Sequence, residues 1–207
     1  MKLDAYPILA KEVVFEEEIK KSRFISQIIP VDSLAAAKVE VERVRTLHPA
    51  ARHHCWAVVA GRADDSMLWG FSDDGEPSGT AGKPILSQLS GSGIGQMLAV
   101  VTRYSGGIKL GTGGLVKAYG GGVAQALKLA ETINKKITAQ LKLGLDYDQM
   151  PLLQMVMAQF NAQEVQASYN HDIQILVELE ARDLDAFKQM LINKSSAKIQ
   201  ISQSEDN

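Results

Sequence analysis

Asp73, Asp74 and Glu76 crowd into the stretch FSDDGEPSGTAGKPI, residues 71–85, together with three glycines and Lys83. Such a loop could cradle a phosphate, hold a hard cation, or turn a corner. A phosphate-binding P-loop needs a glycine, four residues, then Gly-Lys-Ser/Thr, so that backbone N–H groups surround the phosphates. Here the first glycine would fall at Pro77, and Pro84 replaces the hydroxyl that meets the metal. The motif fails twice. The three carboxylates could bind Mg²⁺ through waters, yet acids beside Gly and Pro are also ordinary turn chemistry. Both readings stay open on the residues alone.

A second group lies downstream in RYSGGIKLGTGGLVKAY, residues 103–119. Thr112 is placed to cap a helix opening at Gly113 and Gly114, with Lys109 just ahead of it. Lys117 sits early in that helix, where the macrodipole disfavours a cation. An anion bound at the exposed N–H groups would resolve the conflict. Arg103 and Tyr104 precede the loop, and with Lys83 they make a set of cations and one aromatic suited to phosphates and a base. The competing reading is a scatter of solvated lysines.

Other chemistry is weaker. GSGIGQ leads into a strand, and GTGGLV has Val116 where a dinucleotide fingerprint needs its third glycine. On a strand His53 and Cys55 share one face while His54 and Trp56 share the other. No second cysteine or spaced histidine pair completes a zinc site, and nothing pairs Cys55 with an oriented base. No metal and no cofactor are expected.

The elements around these residues divide the chain in two. KEVVFEEEI and SRFISQIIPV read as strands separated by the polar KKS, followed by a helix over LAAAKVEVERVRTL capped by Ser33. HHCWAVVAG, SMLWGFS and GQMLAVVTRYS read as three more strands. PILSQLS reads as a short helix starting at Pro84, and a longer one runs from about Gly113 to Glu131. Fifteen of the 17 glycines fall between Gly70 and Gly122, so unusual backbone geometry gathers in one region. From Asn134 the order is strand, helix, strand, strand, helix, strand, that of a split-βαβ, ferredoxin-like unit. The expected division is 1–133 and 134–207.

Net charge is −2 over 207 residues, so any nucleic-acid contact must come from a local basic patch. A single cysteine excludes an internal disulfide and fits a reducing cytoplasm. No apolar run is long enough to span a bilayer, and no signal core follows the initial MKL.

The stretches 71–85, 103–119 and HPAARHHCWA, residues 48–57, resemble the IMPACT family, and the likeness extends over essentially the whole chain. Ser105 departs from it, because family members usually carry a second aromatic after Tyr104. The resemblance implies an α+β protein of two domains. The first would be a βαβ domain similar to the second domain of a small-subunit ribosomal protein. The second would be a ferredoxin-like domain similar to the last domain of elongation factor G. The expectation drawn is a cytoplasmic, monomeric, non-enzymatic protein acting near translation, whose partner is RNA, the ribosome or a translation-factor-associated protein, with no DNA or membrane. The alternative is an enzyme acting on a phosphorylated small molecule at the glycine-rich loops. Convergence of the acids and Lys83 in one pocket would favour catalysis, and an open basic face would favour RNA.

Overall fold

The computed structural model describes residues 3–170 and 172–203, and the chain divides into two compact units, 6–135 and 136 onward, the latter joined by the start of the chain. No helix is long and apolar enough to cross a membrane among the described residues.

The first unit contains β1 (Tyr6–Leu9), β2 (Val13–Ile19), β3 (Ser22–Pro30), α1 (Leu34–Leu47), β4 (His53–Val59) and β5 (Trp69–Ser72). It continues with α2 (Gly82–Gly91), β6 (Met97–Tyr104), α3 (Thr112–Lys128) and β7 (Thr132–Lys135). Five strands form an antiparallel sheet in the order β2-β3-β6-β4-β5. β6 is apolar along nearly its whole length because helices cover both sides of the sheet. Met97, Ala99 and Val101 face α2 and α3, packing with Phe24, Ile85, Leu115 and Tyr119. Leu98 and Val100 face α1, packing with Val41 and Val44.

Ser33 caps α1 as its sequence predicts, accepting from the Ala36 amide at 3.1 Å. Two starts differ. α2 begins at Gly82, two residues before Pro84, because its cap is supplied from upstream by Asp73. Strand β5 begins at Trp69, since Ser66–Leu68 is a turn of 3-10 helix. β1 has no counterpart in the sequence reading. It pairs with β7, Tyr6 opposite Lys135, and so ties the two ends of the unit together.

The second unit is α+β as expected: β8 (Thr138–Leu145), α4 (Met150–Gln159), β9 (Gln163–Tyr169), β10 (Ile173–Glu180), α5 (Leu184–Ser195) and β11 (Gln200–Gln203). Its antiparallel sheet runs β11-β8-β10-β9, the arrangement of a ferredoxin-like unit. Strict alternation builds it: Leu141, Leu143 and Leu145 meet Leu153, Val156, Phe187 and Leu191.

Candidate functional site

The acidic loop resolves into three carboxylates that face three ways. Asp73 to Glu76 is a tight turn closed by the Glu76 amide on the Asp73 carbonyl at 2.9 Å, with φ of 41° at Asp74 and 83° at Gly75. Asp73 turns toward α2 and accepts from the amides of Gly79 at 2.8 Å, Ala81 at 3.0 Å and Gly82 at 2.8 Å. Burial pushes its pKa up, but those amides and the Lys83 charge outweigh it and hold it below the ordinary carboxylate value. Asp74 turns toward α1. Its Oδ1 accepts from Arg45 at 2.7 Å and its Oδ2 from the His54 amide at 2.6 Å.

Glu76 turns inward. Its Oε1 accepts from Arg103 Nη1 at 2.6 Å and from the Tyr119 hydroxyl at 2.7 Å. Arg103 also lies over the Phe24 ring, 5.6 Å from its centroid. Beside this cluster Cys55 donates to the Asp73 carbonyl at 2.9 Å. Burial, with Glu76 adding, pushes its thiol up to about 12, far from the range of a nucleophile at neutral pH. The three acids thus serve the loop's own folding. Lys83 is exposed on α2 beside Gly79, and of the three acids it is Asp73 that feels its charge.

Two sequence expectations require correction here. Arg103 is not on the open surface with the lysines: it is buried and paired with Glu76. Thr112 does not cap α3. The cap position is Gly111, whose φ of 75° suits glycine, and no side chain among the described residues is seen to bond the first amides of the helix. Thr112 and Gly113 are exposed, Gly114 is half-buried, and Lys109 and Lys117 are both exposed. Tyr104 follows Arg103 on the strand and therefore points to the other side of the sheet. Arg23 covers its ring at 5.6 Å and His48 Nδ1 meets its hydroxyl at 3.0 Å. Within α3, Gly122 lies against Ser26 on β3 and Gly120 against Pro84 on α2, whereas Gly121 has nothing within 4 Å of where a Cβ would stand.

A feature absent from the sequence reading adds to the cations. Lys20 and Lys21 form the two-residue turn between β2 and β3, with φ of 48° and 62°. Positive φ at both positions is the geometry that matches strand twist, but in residues other than glycine it costs about 1 kcal/mol each. Gly106 holds this turn in place. A Cβ at Gly106 would collide with the Lys21 carbonyl, and the Gly106 amide donates to Ser22 Oγ at 3.2 Å. The polar KKS between two strands was the available signal.

The strained turn is therefore pressed against the loop that carries Lys109 and leads into the uncapped start of α3. Exposed Lys20, Lys21 and Lys109 precede backbone amides that carry the positive end of the helix dipole.

The Impact N-terminal domain matches residues 20–127, and a domain of unknown function (DUF1949) matches residues 143–198. An IMPACT family member of Haemophilus influenzae is 47% identical over 196 residues, covering 95% of each chain. The IMPACT family member YigZ of Escherichia coli K12 is 47% identical over 199 residues, covering 96% of this chain and 98% of that one. A crystal structure described as that of a hypothetical protein is 47% identical, covers 99% of both chains and gives a TM-score of 0.72.

Proposed function

The chain belongs to the IMPACT family, and from that premise we propose that it is a non-enzymatic, translation-associated protein that grips RNA by its phosphates. The contact surface is the rim formed by Lys20, Lys21, Lys109, Thr112, Gly113 and Lys117. Lys83 flanks it from the α2 side, and half-exposed Tyr104 stands at the end of β6 with Arg23 already stacked on it. Arg103 acts from beneath, as a positioning residue, by holding the acidic loop to β6.

The observation that carries this reading is the lysine turn fixed against Gly106. Placing two adjacent lysines in left-handed backbone goes against steric preference and sets two like charges side by side. A polyanion laid across the turn relieves the repulsion, and the amides at the start of α3 donate to one of its phosphates. Phosphate contacts of this kind fix position and carry no base identity.

The alternative, an enzyme on a phosphorylated small molecule, would need a carboxylate free to act beside those cations. Asp73, Asp74 and Glu76 are each held by other partners. RNA titration across salt concentrations, with single lysines of the rim replaced by glutamine, tests the proposal.

A further inference from the structure

Asp74 sits between two cationic partners, one of which carries its charge only in acid. His54 is 6% exposed on β4, and its Nε2 lies 3.2 Å from the carbonyl of His48, the C-cap of α1. A carbonyl can only accept, so Nε2 carries the proton and Nδ1 is the bare nitrogen of the neutral ring. That bare nitrogen stands 3.9 Å from Asp74 Oδ2, too far for a hydrogen bond. Asp74 is meanwhile engaged by Arg45, in the last turn of α1, at 2.7 Å. Arg45 holds a second carboxylate, Glu42, at 2.6 Å, so it has a partner to fall back on. From α1, Arg45 and His48 act on the ring, and from the loop after β5, Asp74 does. From β6, Thr102 stands opposite His54 in register, buried and with its hydroxyl unpaired among the described residues, and brings no charge.

We propose that this cluster is an acid-operated switch in which Asp74 exchanges Arg45 for the protonated His54 ring. Taking up a proton turns Nδ1 into a donor, and the Asp74 carboxylate beside it is the anion that accepts. An N–H···O bond needs about 2.9 Å, so ring and carboxylate close by roughly 1 Å. The new pair is charge-assisted and lies in a buried place, whereas Arg45 is partly exposed. Arg45 is left to Glu42, and the last turn of α1 is untied from the turn at 73–76. Val41 and Val44 stay in the core, so only the end of the helix loosens. Burial holds the His54 pKa below its ordinary 6.5, outweighing the opposite pull of the His48 carbonyl and Asp74. The neutral ring therefore supports the neutral-pH arrangement fully above that value, and the support is lost as pH falls through the lower folded one. The switch reaches Tyr104, whose hydroxyl meets His48 Nδ1 at 3.0 Å. It stands without the RNA reading.

The test follows amide hydrogen exchange of the full chain by NMR from about pH 7.5 to about pH 5, across the histidine range. Each rate is expressed as protection against the unfolded chain at the same pH. Protection over residues 45–48 should fall at least about fivefold as His54 titrates, the size of a modest coupling. Residues 41–44 should keep theirs. His54→Gln can still donate to the His48 carbonyl but takes up no proton, so it should show no such fall. Asp74→Asn should leave 45–48 open at both ends of the range. Ring nitrogen shifts of the parent should show Nε2 protonated at neutral pH, and a proton arriving at Nδ1 as the amides open. If His54→Gln does not fold, that coincidence in the parent decides the matter. Protection that stays constant through the titration of the ring, or falls equally in His54→Gln, would overturn the switch.

Discussion

Arg103 and Glu76 lie 27 residues apart and meet at 2.6 Å, their side chains only 10% and 4% exposed. The Tyr119 hydroxyl shares the same carboxylate oxygen. One acid thus joins the loop after β5, the end of β6 and the second turn of α3. Removing it leaves a buried guanidinium without its counterion, and Glu76→Ala should cost about 3–5 kcal/mol. Replacing both partners, Glu76→Leu with Arg103→Met, should cost markedly less, because no buried charge is left unpaired. Denaturant unfolding of the three proteins checks this, and a double variant as unstable as the single one would contradict it.

Asp73 makes acid stability a second test. Its folded pKa is depressed, so the unfolded chain takes up the proton first. Its contribution is complete above about pH 4 and is lost as pH falls through the lower folded value. Asp73→Ala should therefore lower stability at neutral pH by about 2 kcal/mol, the order expected when a charged cap is lost. It should also flatten the fall in stability below about pH 4. Thermal melts from pH 7 to pH 2.5 measure both effects.

Neighbouring glycines of α3 should respond oppositely to alanine. A Cβ at Gly122 would lie 2.5 Å from Ser26 Oγ, whereas one at Gly121 meets nothing within 4 Å. Gly121→Ala should stabilise by about 0.5–1 kcal/mol through helix propensity. Gly122→Ala should destabilise despite the same gain, because β3 cannot withdraw from the helix. Paired melting curves decide it.

What the sequence discloses follows the range of the interactions. The ferredoxin-like unit is legible because its strands alternate within themselves, Leu141-Lys142-Leu143 being enough to assign a face. β1 is not, because YPIL gains its strand partner at Lys135 and its neighbours. The start of α2 shifts for the same reason: the cap at Gly82 is a carboxylate nine residues upstream. Asp73, Asp74 and Glu76 read as one cluster in the sequence, and a turn with φ of 41° at Asp74 sends them apart. Lys109 and Lys117 were visible as cations near a helix start. Lys20 and Lys21 were visible as a polar break between strands, but the contact of Lys21 with Gly106 joins segments that sequence spacing cannot relate.

The most direct test of the phosphate-gripping rim is the salt dependence of RNA binding. A fluorescence titration with one single-stranded RNA is repeated at several salt concentrations for the parent and for Lys20→Gln, Lys109→Gln and Lys117→Gln. Binding by the parent should weaken steeply as salt rises, through release of counterions from the RNA. Each substitution should reduce the slope of log affinity against log salt by about 0.7–1, one phosphate contact apiece, with melting temperature unchanged or raised. Slopes identical to the parent in all three variants, or a parent that binds no RNA at low salt, would contradict the account.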